Sequence, residues 1–400
     1  MQHMHLAGSF AALTIFSAPL VLSAQIPAME SGVPVHQYRK GSAPEADWSV
    51  GPPVLVIGSE RRKPEIFFDV AGVLSIAGAR LLVADGGSSE LRFFDMKTGR
   101  HLYTVGGKGR GPGEFDGLWD VWQTNNGIVA VDASGRASYF DLEGTFLRTL
   151  PPPVSGLGRR LRRAGFFADG TTLAYGVEPD SDVKPDEKSV VWMRIEMLEE
   201  DEPSFLLRYP HHIATRKGPA RPWGLVYGPV SALAAAGTRF CVGFPAEYVI
   251  DCFSLDGARP LHRIVRESWA RVPVGPAHRV EYFEVNEAAN PGARGAPYLE
   301  YLRENAQFAD EFPAFERLVS GDNGDLWVGP FIPEGDTPVL KPSPDHATTW
   351  SVYSADGRWL SDVVLPARFR LFSAGSDYVA GVARDENDVE SVVILPLRKR

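Results

Sequence analysis

Three groups of residues in this chain have types and spacings that could do chemistry. The first is Gly106-Gly107-Lys108-Gly109-Arg110-Gly111-Pro112-Gly113-Glu114-Phe115, where five glycines surround a lysine. A phosphate-cradling loop of that composition ends in Gly-Lys-Ser/Thr and opens a helix. Here it runs into Leu118-Trp119-Asp120-Val121-Trp122, a strand-like run, so it reads as a connector between sheets. The second group is histidine. The nine are scattered, and the adjacent pair His211-His212 falls in a stretch that reads as a loop. No Gly-x-Ser-x-Gly elbow and no His-Glu-x-x-His helix occurs. The third group consists of acids, arginines and one serine at the starts of strand-like runs: Asp69, Asp120, Arg162 or Arg163, Ser231, Glu316 or Arg317, and Arg368 or Arg370. Carboxylates at such points take hydroxyl or amine donors, or an oxygen-loving cation such as Ca²⁺. Arginine's planar fork suits carboxylate or phosphate.

Whether these groups meet depends on the elements that carry them. Leu81-Leu82-Val83-Ala84-Asp85, a turn, Leu91-Arg92-Phe93-Phe94-Asp95, Lys97-Thr98-Gly99 and His101-Leu102-Tyr103-Thr104-Val105 form one unit. Gly127-Ile128-Val129-Ala130-Val131-Asp132, a turn, Ser138-Tyr139-Phe140-Asp141, Glu143-Gly144 and Phe146-Leu147-Arg148-Thr149-Leu150 repeat it. Four short strands at a fixed period are the pattern of propeller blades. With its Gly-x-Gly-Pro-Gly-Glu-Phe tail, the unit resembles the NHL-type six-bladed β-propeller family of secreted bacterial proteins. The resemblance is most specific over about residues 66–150 and continues more weakly to residue 400.

The expected fold is therefore an all-β six-bladed β-propeller spanning 49–400. Blades begin near Glu65, Leu118, Leu161, Pro229, Phe315 and Arg368. The last blade lacks a fourth strand, and Val54-Leu55-Val56-Ile57 is an outer strand without a blade. Pairing the two beside Ser391–Leu395 closes the ring and leaves no open edge. Leu6 to Val21 is apolar but too short to span a bilayer. It reads as a signal peptide, 1–24, cut after Ala24 and followed by a flexible leader, 25–48. The longest interruption, about 268–313, has helical spacing around Tyr298-Leu299-Glu300-Tyr301-Leu302 and reads as a partly helical lid.

The 44% hydrophobic content fits a folded core, and the net charge of −9 argues against nucleic acid as a partner. Cys241 and Cys252 fall opposite one another if the chain turns tightly at Ala246-Glu247, within disulfide reach in an oxidising compartment. The long loops all open on one end of the ring, where a rigid scaffold carries binding sites. The expected protein is an exported monomer, periplasmic or extracellular, with no stable membrane insertion after cleavage. It binds an anionic or polyhydroxy small molecule, or a protein partner, at the channel mouth. Arg163, Arg317 and Arg370 would face an anion, Asp69 and Asp120 would take hydroxyl or amine donors, and Trp223, Tyr298 and Tyr301 would supply aromatic walls. The alternative is a metal-dependent lactonase or lyase, since propellers resembling this one include such enzymes. No inner-strand start carries a histidine for that role.

Overall fold

A computed structural model describes residues 31–58, 64–76, 79–156, 158–180, 183–199, 202–218, 221–256, 258–292, 294–332 and 345–400. The expected signal peptide lies outside the described residues. Among those described, no helix is long and apolar enough to cross a membrane.

The described strands form six sheets around an axis, antiparallel throughout except for one added strand. Blade 1 is Val70–Ile76, Arg80–Asp85, Glu90–Asp95 and His101–Gly106; blade 2 is Leu118–Thr124, Gly127–Asp132, Ala137–Phe140 and Phe146–Leu150. The inner strands of blades 3 to 6 are Arg162–Phe166, Ala232–Ala236, Arg317–Ser320 and Phe369–Ala374. Each inner strand neighbours the next around the ring, and that of blade 6 returns to that of blade 1. Alternation along each strand puts one set of apolar residues on each face of the blade, so the core is divided into layers between blades. Ile57, Phe67, Val73 and Phe94 meet Val382 and Val392 between blades 1 and 6, and Phe115, Phe140 and Val121 meet Leu82 and Phe93 between blades 1 and 2.

The ring closes as expected. Leu55–Ile57 is antiparallel to the last strand, Glu390–Lys399, with Ile57 opposite Val392 and Leu55 opposite Ile394. The flexible leader needs correction. Trp48–Val50 pairs with the far end of the same last strand, and Trp48 is buried among Leu365, Leu395 and Leu397. Val35–Tyr38 adds in parallel to Pro260–Arg266 as a fifth strand of blade 4. Tyr38 anchors it against Tyr353 and Trp359, at ring separations of 6.1 and 5.5 Å. A four-residue strand offers too few alternations to be visible in sequence.

Cys241 and Cys252 are paired across adjacent strands of blade 4, bridged by a disulfide, and buried. Their separation of 11 residues closes a short loop, so replacing both by Ala should cost about 2–3 kcal/mol. Urea unfolding of the double variant checks this. Free-thiol titration of the denatured, unreduced protein should find none, and two free thiols would refute the bridge.

The long insertion folds as two helices, α1 (Pro276–Ala289) and α2 (Ala296–Asn305). Tyr282, Leu302 and Phe312 pack on Val226 and Tyr227, the connection between blades 3 and 4, and on Phe331 of blade 5.

Candidate functional site

The inner strands do not run straight. Four of them carry a β-bulge, one extra residue facing a single residue on the neighbouring strand: Ala71 in blade 1, Trp119 in blade 2, Ala164 in blade 3 and Phe372 in blade 6. A bulge re-aims its extra side chain. All four residues line the central channel, a cavity of about 330 Å³ to which all six inner strands contribute.

Asp69 and Asp120 enter this cavity from blades 1 and 2, Arg317 and Arg370 from blades 5 and 6. One device fixes the approach to the inner strand in blades 1 and 2, where Asp69 and Gly117 take the same place in the register. Asp85, at the end of the second strand of blade 1, accepts the Phe68 N–H at 3.1 Å and pairs with Arg92 at 2.7 Å. Asp132 does the same in blade 2, accepting the Asp116 N–H at 3.2 Å and pairing with Arg136 at 2.7 Å. The Asp69 carbonyl takes the Gly86 N–H and that of Phe68 takes the Gly87 N–H. So clamped, Asp69 sits at φ 57°, a left-handed conformation that costs about 1–3 kcal/mol and collects at functional sites.

The electrostatics follow from enclosure. The surface Asp120 keeps faces the channel, so it is desolvated like a buried group and its carboxyl is pushed up to about 7; the Val121 N–H and the two arginines pull the other way. Burial also raises Asp69, with Glu390 adding to the effect. Arg317 is lowered to about 10 by burial and then by the like charge of Arg370, which is itself lowered by burial. Arg370 lies over the Phe372 ring at 4.7 Å and Arg317 over Trp350 at 5.8 Å. Among the described residues, neither guanidinium makes a contact ion pair with any carboxylate. The four groups sense one another through space, and a gap remains between them.

The other expected site residues lie elsewhere. Arg163 does not line the cavity: its guanidinium donates to the carbonyls of Gly135 at 2.5 Å and Pro151 at 3.0 Å, tying blade 3 to blade 2. Arg368 pairs with Asp345, and the Ser231 hydroxyl donates to the Pro210 carbonyl. Trp223 and Tyr301 meet edge to face at 6.0 Å beside the insertion. Neither they nor Tyr298 wall the channel, because backbone bonds from Val226 to Gln307 and from Ala309 to Val226 hold the insertion down on the connection between blades 3 and 4. No described residue of the insertion lines the cavity, so the expected lid stands beside it.

The glycine-rich loop is a connector, as its sequence indicates. The Gly111 N–H donates to Glu114 Oε2 at 2.8 Å, and a Cβ on Gly109 would fall 2.0 Å from the same oxygen. The loop's own carboxylate occupies the concavity that a phosphate would need.

A second cleft, of about 530 Å³, opens between blades 4 and 5 and is walled by Trp269, Tyr248 and Phe331. Its arginine is already engaged: Arg266 pairs with Asp362 at 3.1 Å and donates to Ser351 Oγ at 2.5 Å. No three His, Cys, Asp or Glu side chains converge as a metal site among the described residues.

The two adjacent histidines are on a strand and not in a loop: Glu202–Thr215 runs on through both. His211 Nδ1 lies 2.7 Å from His212 Nδ1, so one ring donates and the other accepts. Burial, then His212, then Arg162 lower His211 to about 3; burial, then Arg239, lower His262 to about 4. Both stay neutral in the folded state at pH values where the unfolded chain protonates them, near 6.5. The unfolded state therefore binds more protons below pH 6.5, so this stabilisation is complete above 6.5 and is lost as pH falls towards 4 and 3. Each site contributes at most roughly 1.4 kcal/mol per pH unit. His211→Gln with His262→Gln should flatten the dependence of urea-unfolding stability on pH between 4.5 and 6.5, whereas parallel curves would sink this assignment.

Residues 66–157 match the profile of a family described as 6-bladed beta-propeller. No curated protein matches the chain. Among solved structures, a member of the DUF4221 family from Bacteroides vulgatus gives a TM-score of 0.51 at 11% identity, over 90% of this chain and 98% of the other. A Bacteroides fragilis protein inferred to be exported gives 0.49 at 14% identity, over 92% of this chain and 99% of the other. At these identities the likeness concerns the fold alone.

Proposed function

We propose that this chain is an exported six-bladed propeller that binds a small anionic molecule in its channel, at the end where the long loops open. One observation carries the reading: Arg317 and Arg370 reach a common cavity with Asp69 and Asp120, and no contact ion pair joins them. Charges held in an enclosed space without contact partners are costly, and an anion between the two guanidinium groups relieves that cost with charge-assisted hydrogen bonds. Asp69 and Asp120 accept from hydroxyl groups on the same ligand. The Cys241–Cys252 disulfide supports a protein at work in an oxidising compartment.

The experiment is a thermal-shift screen of anionic metabolites and cell-envelope fragments against the wild type and the Arg317→Ala/Arg370→Ala variant. A ligand that stabilises the wild type should lose that effect in the variant through linkage. Equal stabilisation of both would place function outside the channel. The metal-dependent alternative has the arginines against it, since they compete with a cation for the same two carboxylates. Stoichiometric calcium binding that raises the melting temperature and is reversed by EDTA would favour that alternative.

A further inference from the structure

The bulge in the inner strand of blade 2 deepens this reading. It turns Trp119 out of the sheet, leaving 49% of it exposed where it lines the channel cavity. Three other inner strands carry bulges, but Ala71 and Ala164 are small, and the Phe372 ring is already covered by Arg370. Trp119 is thus the bulged residue that offers a broad aromatic face, and it adjoins Asp120 in sequence.

Resting on the anion-binding reading, we propose that the ligand is a sugar acid, a pyranose bearing a carboxylate, seated with its C–H face on Trp119. The carboxylate meets Arg317 and Arg370, and ring hydroxyls donate to Asp69 and Asp120. Each element of the site then has a partner on one molecule. An inorganic anion uses the arginines and leaves the indole wet. A neutral sugar uses the indole and the acids and leaves two guanidinium groups uncompensated. An aromatic acid satisfies indole and arginines but brings no donor to the two carboxylates. A pyranose carboxylate has an apolar face, a rim of hydroxyls and a single planar anion, the combination this cavity presents.

The test is calorimetric titration of the full chain with D-glucuronate, D-galacturonate, D-glucose, benzoate and inorganic phosphate. At least one uronate should bind tenfold or more tightly than glucose, benzoate or phosphate. Trp119→Ala should weaken that uronate by tenfold or more, Trp119→Phe should restore part of the loss, and phosphate binding should be the same in all three proteins. Trp119 is half exposed, so the variants are expected to fold, which circular dichroism checks. If phosphate, benzoate or glucose binds within tenfold of the tighter-binding uronate, or if Trp119→Ala leaves the affinity for that uronate unchanged, the sugar-acid assignment is wrong, while an anion site that depends on Arg317 and Arg370 still stands. If no uronate binds, the assignment fails whatever the wider screen finds.

Discussion

Replacing Ile57 by Asp should unfold this protein or leave it barely stable, while the same change one residue earlier, at Val56, should be tolerated. Ile57 is 2% exposed and packs on Phe67, Phe94 and Val392 where the first and last parts of the chain meet; Val56 is 43% exposed on the opposite face of the strand. Burial of an Ile side chain is worth about 1.5–3 kcal/mol. A carboxylate put in its place has no partner in an apolar layer and adds a cost of several kcal/mol. The sum, about 4 kcal/mol or more, is comparable with the whole stability of many domains. It falls at the one seam that covalent connection does not hold, so blades 6 and 1 would separate and leave an open sheet edge. Val56→Asp changes a surface position and should stay within about 1 kcal/mol. Because strand periodicity is two, the pair of variants also tests register. Similar urea midpoints for the two would mean that the closing strand is not seated as described.

That seam is legible in the sequence because it follows from counting: five complete blades, one incomplete blade and one strand left over. The disulfide is legible for the related reason that register across a tight turn is set by spacing. The site is legible only in part. Asp69, Asp120, Arg317 and Arg370 stand out by their places at inner-strand starts, and the channel brings these four together. Arg163 stands one residue further along its inner strand than Arg370 does, directly before the bulged residue as Leu371 is, and two backbone carbonyls of blade 2 take up its donors. A sequence shows that an arginine is near an axis and does not show which carbonyls lie within its reach. Trp119 escapes the sequence reading altogether. Alternation counted straight along Leu118–Thr124 places it on a blade face, and only the slip in pairing after Leu118 turns it into the channel. A tryptophan beside an aspartate at an inner-strand start is the available signal. The leader reads as flexible because its strands owe their order to distant partners, and local pattern carries no trace of those.

The same bulges make the binding site sensitive to a residue that touches no ligand. Gly381 lies on the second strand of blade 6, opposite Leu371 and next to the point where Phe372 is squeezed out of register. A Cβ there would fall 2.1 Å from the Arg370 carbonyl oxygen and 2.7 Å from the Phe369 ring. The obstacle is backbone and a core ring, neither of which can swing aside. Strand propensity alone predicts that Gly381→Val stabilises the sheet, since β-branched residues favour strands. The steric argument predicts the reverse, a loss of about 3 kcal/mol as the inner strand is forced off its neighbour. That strand carries Arg370, so the variant should also lose anion binding to the extent that Arg370→Ala does, although residue 370 is unchanged. Gly156 provides the control: a Cβ added there would meet nothing within 4 Å, so Gly156→Val should change stability by about 0.5 kcal/mol or less and leave binding intact. Urea unfolding and ligand titration of the two variants decide between propensity and packing. If Gly381→Val were as stable as the wild type and bound ligand equally well, the close approach that positions Arg370 would not be what holds it in the channel.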